Sequence, residues 1–518
     1  MKQEVKDVQD SGSDLGYVVG DNTSDIFRFV LSENSQAKKW EYVYMDINGS
    51  KVLGRVERII SKSELLNDSM DYESVNRYVS SDLDYSVNLC LARTLGSMNG
   101  GNLELSRDLI RPGTKVYRAT SQMLEKIFRF SEDESLDIGY LADRSDVRVS
   151  LSVSGMRRHV AIVAQTGAGK SHTAGVLMEE LLKKGASIVV LDPHADYVLM
   201  RKSQAGSFYS NSIRVFRTPL STGRYDSFQQ GIVNEFTLRF ADLEADDVSE
   251  IMGIKESWTN LRKSVELSVK NMHGKRDLED FVKAAESLDP PEDYHKIAGR
   301  IRLLSKVRSI FGDRTTGLAD YIQPGMMSIL DLSGMDQFLA NYFSYRVINE
   351  IYESKLTSQY RYPVFIFIEE AHNFVPPGSS TQISQMIKKV ASEGRKFGIF
   401  LVVITQRPGK IDQDVLSQCN SEIILRITNP LDQKAILESG ESISQAVIDD
   451  LPSLNVGEAI LVGQFVKVPV NVKVRSRESK EGGGDIDVVA LLRESRMERD
   501  EKNSASGDLK RISRILGD

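Results

Sequence analysis

The stretch His159–Ser171, HVAIVAQTGAGKS, constrains this chain more than any other. Val160–Val163 is an apolar run of the length of a buried strand. Thr166-Gly167-Ala168-Gly169 supplies a small-residue loop, and Lys170-Ser171 opens a helix. That helix carries Ala174, Leu177, Met178, Leu181 and Leu182 on one face and stops at Gly185. Strand, glycine loop, Lys-Ser and helix are the parts of a P-loop, in which backbone N–H groups close around phosphates, the lysine reaches the terminal phosphates and the hydroxyl ligates Mg²⁺. The nucleotide contacts expected here are Thr166, Gly167, Ala168, Gly169, Lys170, Ser171 and His172, with ATP and Mg²⁺ as the bound species. One position departs from the usual pattern: Ala164 stands where the first glycine is expected, which demands a negative φ at the strand end.

At 518 residues the chain is expected to hold two to four domains. Its 41% hydrophobic and 27% charged content is that of a soluble globular protein, and no apolar run approaches the ~20 residues of a membrane span. The first residues, MKQEVKDVQDSGSD, are polar and contain no leader-like apolar core. Cys90 and Cys419 are far apart, which argues against a disulfide framework and fits a reducing cytoplasm. A net charge of −7 disfavours a DNA-coating protein, yet leaves room for nucleic-acid contact at local loops.

Residues 1–14 read as a disordered tail, and 15–153 as a β-rich unit of several short strands, suggesting a small barrel. Asn48-Gly49-Ser50 is a hairpin signal within it, and the more polar 61–85 a helical or loop excursion. Strands and helices then alternate over 154–476, predicting a mostly parallel sheet covered on both faces. Its strand candidates are Ser187–Leu191, Ile213–Phe216, Ser328–Leu332, Val364–Ile368, Ile399–Ile404 and Glu422–Ile427, closed by Glu458–Val462 and Val466–Val474. A helical insertion is expected at about 225–320, from Val248–Val269, Leu278–Ala285 and Tyr294–Ile310. Residues 477–518 read as a glycine linker followed by short charged helices at Ile486–Met497 and Leu509–Leu516.

Glu369 and Glu370 end the VFIFI strand, where P-loop NTPases place acids that hold Mg²⁺ and polarise the attacking water. Glu369 is assigned to the metal and Glu370 to the water; His372 is read as structural. Gln406, after the Ile399–Ile404 strand, senses the γ-phosphate or caps the strand end. Asp192 either assists the metal or forms a turn before Pro193. Arg395 and Lys396 are placed after a helix over Ile383–Glu393 that Gly394 ends. Arg395 is then either a surface arginine or a finger offered to a neighbouring subunit's nucleotide, and Arg158 a further nucleotide or subunit contact.

The ordered set AQTGAGKS, LDPHADY, FIEEAHNF, SEGRKFG and VITQRP resembles the archaeal HerA hexameric DNA translocases of the HerA/FtsK ATPase group, from about Tyr17 to Val474. The β-rich part resembles their HAS barrel, including Gly54-Arg55-Val56 and Ile138–Val149. The resemblance implies Walker A at Lys170 and Ser171, Walker B at Glu369 and Glu370, Arg395 as trans finger, Gln406 as sensor and a C-terminal brace over an adjacent subunit. Ala195-Asp196, where many relatives carry Gly-Glu, leaves the role of Asp196 open.

The expected fold is thus α/β: an N-terminal HAS-like β-barrel, a RecA-like P-loop core with a helical insertion, and a short helical tail. The expected function is an ATP-driven double-stranded DNA translocase, a homo-hexamer threading DNA through a central pore. By the resemblance it works with a NurA-type nuclease in end resection and recombinational repair. Val375–Thr381, Arg302, Lys306 and Arg308 are candidate pore residues. An ATP-gated clamp or nuclease-activating scaffold, and a conjugation- or secretion-type motor, are the other readings.

Overall fold

The computed structural model describes residues 12–63, 65–79, 86–99, 102–203, 208–223, 225, 233–440, 443–482 and 488–499 of the chain. Two sheets organise them. In the first, Ile26–Leu31, Asp14–Val18, Lys115–Arg118, Tyr42–Ile47, Ser50–Ser63 and Ser86–Asn99 pair antiparallel in that order, and the last pairs back with the first. The ring is therefore a closed six-stranded barrel, filled by Phe27, Phe29, Val43, Met45, Val52, Val56, Cys90 and Val116. The Asn48-Gly49 signal is a two-residue hairpin turn: Ile47 pairs with Ser50, and both turn residues have positive φ (51° and 83°), as a type I′ turn requires.

The second sheet has twelve strands. From one edge they run Val233–Glu235, Ile213–Arg217, Met327–Asp331, Ser187–Asp192, Val364–Ile368, Ile399–Thr405, Val160–Val163 and Ser421–Ile424, all parallel. Glu458–Gly463, Val470–Val474, Ser135–Leu141 and Arg144–Ser152 continue it antiparallel. The central strands are buried throughout, as parallel strands covered on both faces are. Ala161, Val163, Ile366, Ile368, Leu401 and Val403 join one core cluster; Val160, Ile162, Phe365, Phe367, Val402 and Ile404 join the other. The period of two along each strand thus divides the interior into two cores.

Several expectations change. Val147–Val153, grouped with the barrel on its β pattern, lies largely in Arg144–Ser152 at the edge of the second sheet; alternation alone does not say which sheet a strand joins. Between Ser50–Ser63 and Ser86–Asn99, which form a long hairpin, the described part of the 61–85 excursion is loop and the helix Tyr72–Val79, while the first strand runs on to Ser63. The helical run Val248–Val269 divides at Gly253 (φ 66°) into Ala245–Ile251 and Thr259–Lys270, and a short edge strand, Val233–Glu235, precedes it. Only Val470–Val474 of the Val466–Val474 alternation is strand, since the chain turns before Pro469. Helix Gln382–Phe397 continues through Gly394 and ends at Gly398 in the left-handed conformation, so Arg395 and Lys396 occupy its last turn. Cations there are favoured by the helix dipole. Residues 488–499 are helical with every residue exposed, and the expected helix Leu509–Leu516 falls outside the described residues. No helix of the described residues is long and apolar enough to cross a membrane.

Barrel and sheet are tied by polar contacts. Trp40 Nε1 donates to Asp450 (2.8 Å), and Arg55, stacked 4.1 Å over the Trp40 ring, donates to the Pro469 carbonyl (3.2 Å). Behind the P-loop strand, Glu422 pairs in register with Ala161 and is 2% exposed, and its Oε2 has no hydrogen-bond partner. Burial pushes its carboxyl up to about 8. The folded chain therefore holds that proton more tightly than the unfolded chain, and the contribution of Glu422 to stability falls as pH rises from about 4.5 to about 8. Glu422→Gln is expected to flatten that slope and stabilise the protein by on the order of a few kcal/mol at pH 8, read by denaturant melts across the window. Equal pH dependence in both proteins would contradict it.

Candidate nucleotide site

Parallel register brings the chemistry together. Val163 lies level with Thr405, Ile368 with Leu191 and Val403, so the strand ends present Ala164, Gln406, Glu369 and Asp192 side by side. The strand leading to Gln406 runs between the P-loop strand and the strand leading to Glu369 and Glu370. Gly167 (φ 75°) and Gly169 (φ 102°) make the loop reversal, and a Cβ on Gly167 would meet nothing within 4 Å, leaving that side of the loop open. Ala164 is buried and keeps a negative φ, so the alanine fits where a glycine was expected. Ala168 accepts from the Gly457 N–H (3.1 Å), which ties the loop to the turn before Glu458.

Lys170 Nζ lies against both acids, bonded to Glu369 and 2.5 Å from Glu370 Oε1. Gln406 Nε2 donates to the same Glu370 oxygen (2.7 Å), and the Thr166 hydroxyl donates to Gln406 Oε1. Lys170, Glu369, Glu370, Gln406 and Thr166 are thus one hydrogen-bonded constellation. Glu370 reaches it from the left-handed backbone region (φ 48°, ψ 47°), a conformation strained for a residue with a Cβ and of a kind that clusters at active sites. Ser171 Oγ donates to Asp196 (3.2 Å).

The electrostatics follow from burial and neighbours. Burial alone would lower Lys170, but the two carboxylates outweigh it and hold the ammonium charged. Glu369 is fully buried, and desolvation raises its carboxyl despite Lys170 and Tyr197. Burial also acts against Glu370, yet His372, 3.2 Å from its Oε2, and Lys170 bring it down to about 2. Asp192 is wholly buried and raised by that burial; it accepts the N–H groups of Asp196 and Tyr197 (3.0 and 2.9 Å) and so shapes the loop that follows it. Mg²⁺ takes hard oxygen donors and keeps some positions for phosphate and water. The Ser171 hydroxyl, bonded to Asp196, and Glu369, bonded to the adjacent Lys170, are donors of that kind, and no ready-made cage of three or more acid, His or Cys ligands exists among the described residues.

Other expected site residues lie elsewhere. His172 turns away from the loop onto the segment after the last strand of the fold's antiparallel half: its Nε2 is 2.8 Å from the Arg475 carbonyl and its Nδ1 faces Glu481. That segment is locked to the P-loop helix through Glu179, which is fully buried and accepts from Arg475 (3.0 Å) and from the backbone of Glu478 and Ser479. Arg158 precedes the P-loop strand and Arg395 sits before Ile399, so both are at the strand N-terminal edge, away from Lys170 of the same chain. Both side chains are exposed. His159 holds that edge together: it bonds to the Ala391 carbonyl (3.0 Å) and accepts from the Leu401 N–H (2.9 Å), and burial lowers it to about 4. The exposed residues Arg302, Lys306 and Arg308 include one in an ion pair, Arg308 with Glu279.

Tyr197, His372 and His159 were not identified as site residues from sequence. Their partners lie in remote stretches, and the only local signals are the Tyr197 that closes DPHADY and the His372 two residues after Glu370.

Residues 136–351 match the family described as Helicase HerA, central domain. The DNA double-strand break repair helicase HerA of Pyrococcus furiosus is 28% identical over 570 aligned positions, covering 96% of this chain and 99% of that one. A probable helicase of Methanocaldococcus jannaschii is 30% identical over 513, covering 91% and 97%. Among solved structures, VirB4 of Thermoanaerobacter pseudethanolicus superposes with a TM-score of 0.49 at 16% identity, over 68% of this chain and 98% of that one. A relative 30% identical and matched over nearly its whole length, together with the matched central domain, places this chain in the HerA helicase family.

Proposed function

We propose that the chain is an ATP-driven motor that translocates double-stranded DNA, working as a ring of six with a NurA-type nuclease in DNA-end resection. The observation that carries the ATPase is the constellation of Lys170, Glu369, Glu370 and Gln406. A charged lysine, an ionised Glu370 in a strained turn and an amide bonded to it supply what phosphoryl transfer from ATP to water asks of a protein: charge stabilisation and an oriented nucleophile. Ser171 and Glu369 would hold Mg²⁺, which supplies charge neutralisation on the phosphates. Relatives named as DNA repair helicases support DNA as the track.

The ring is supported by what one chain lacks. Arg158 and Arg395 are exposed on the strand edge away from their own Lys170, so any nucleotide they serve would be another subunit's. The exposed helix over 488–499 carries Val488, Val489, Leu491, Leu492 and Met497 at 50–66% exposure, a surface suited to a brace on a neighbouring copy. Contacts to DNA would be to its phosphates, and so salt-dependent.

The test is ATP turnover with and without duplex DNA, together with displacement of a protein roadblock from that DNA. DNA-stimulated turnover with displacement is expected. Turnover without displacement would favour an ATP-gated clamp. Lys170→Ala is expected to abolish hydrolysis and most nucleotide binding, because the terminal phosphates lose their main cationic side chain. Wild-type turnover in that protein would remove the P-loop assignment.

A further inference from the structure

Glu369 has two donors, one on each oxygen. Lys170 takes Oε1, and the Tyr197 hydroxyl donates to Oε2 at 2.6 Å. Tyr197 is fully buried, as is Glu369. The phenol is delivered by a loop with a defined path. Asp192 ends its strand beside Glu369 and accepts the Asp196 and Tyr197 N–H groups; Ala195, at φ 58°, makes the reversal between them. The same turn sets Asp196 against the Ser171 hydroxyl. One buried carboxylate therefore orients two residues, Asp196 onto the Ser171 hydroxyl and Tyr197 onto Glu369.

We propose that Tyr197 is a positioning residue of the nucleotide site: its hydroxyl fixes the orientation of the Glu369 carboxylate toward the metal. This rests on the reading of Ser171 and Glu369 as the metal-holding pair. A glutamate side chain has three rotatable bonds, and a single donor on one oxygen leaves the carboxylate free to turn about that contact. A second donor on the other oxygen removes this freedom. The bond is charge-assisted and lies in a dry setting, which makes it one of the stronger kinds. A bound terminal phosphate competes with Glu369 for the Lys170 ammonium. The phenol answers to no such competitor and keeps its hold on Glu369 while the lysine turns to the phosphate.

Mn²⁺ is the probe, titrated by electron paramagnetic resonance into the full-length chain saturated with ADP. Tyr197→Phe keeps the ring and its packing, and a thermal melt checks the fold. Mn²⁺ affinity is expected to fall about tenfold or more, the usual scale for removing a hydrogen bond to a metal-site group. ADP affinity measured without metal is expected to stay at the wild-type value. Tyr209→Phe serves as the control, since Tyr209 is an equally buried tyrosine whose hydroxyl bonds to Glu478 (3.0 Å); it should leave Mn²⁺ affinity unchanged. In a Glu369→Gln background, adding Tyr197→Phe should cause no further loss, because the two act as one unit. Wild-type Mn²⁺ affinity in Tyr197→Phe, or an undiminished further loss in the Glu369→Gln background, overturns the proposal. A wild-type chain that binds ADP but no Mn²⁺ overturns the metal-site reading beneath it.

Discussion

Glu370→Gln is expected to keep ATP and Mg²⁺ bound while hydrolysis falls by about 10²–10⁴-fold, the range for loss of a positioned acid–base group. Glu370 accepts from Lys170 and Gln406 and lies beside His372, and its carboxyl sits at about 2. It is therefore ionised throughout the neutral range, and its charge is lost only as pH falls toward that value. A glutamine of the same shape keeps the packing but has no charge to polarise water. Its amide oxygen can still accept from Lys170 and Gln406, since both bond the same Glu370 oxygen. Nucleotide binding should survive, because Lys170, Ser171 and the P-loop backbone are untouched. The checks are filter binding of labelled ATP and a single-turnover assay on the same preparation. Weak binding with wild-type turnover would make Glu370 a structural residue held by His372.

Much of this site was legible because its signals are local. The P-loop needs a strand, a glycine loop and a helix in immediate succession, and VFIFI followed by Glu369-Glu370 is one uninterrupted strand and its end. Asn48-Gly49 was legible for the same reason, since a two-residue turn needs no remote partner. What escaped depends on distance. Ser135–Leu141 and Arg144–Ser152 have the alternation of barrel strands, and only pairing with Val470–Val474, more than three hundred residues later, assigns them to the other sheet. Ser86–Asn99 was missed because only three of its fourteen residues are buried and it mixes polar with apolar residues, so its period of two is faint. Gly394 read as a stop, whereas the helix keeps a glycine there because a Cβ would lie 2.8 Å from Val390 and 3.0 Å from the Ile399 carbonyl; Gly398 is the true cap. Tyr197 is the clearest case. Its partner is 172 residues away, and nothing in DPHADY says that the tyrosine rather than an aspartate reaches Glu369.

Arg395→Ala is expected to assemble and bind ATP normally but to lose about 10³–10⁵ in hydrolysis, the usual worth of an arginine finger. The side chain is exposed in the last turn of Gln382–Phe397, at the strand edge away from its own Lys170, so removing it leaves that chain's own pocket intact. His159 bonds to the Ala391 carbonyl one turn earlier and fixes where this helix end points. The loss should therefore arise from the missing guanidinium and not from a displaced helix. Under trans action, a Lys170→Ala chain has the opposite defect, a dead pocket beside a good finger. Mixing the two inactive proteins, with subunit exchange allowed, places some intact pockets next to intact fingers, and part of the ATPase activity should return. Recovery that scales with the mixing ratio would assign Arg395 to the neighbouring site, since no chain in the mixture carries both groups. The contrary result is an Arg395→Ala protein that forms the wild-type assembly and hydrolyses ATP at the wild-type rate with DNA present. Arg395 would then be an ordinary surface arginine stabilising a helix C-terminus, a role worth about 0.3–1 kcal/mol and nothing in catalysis.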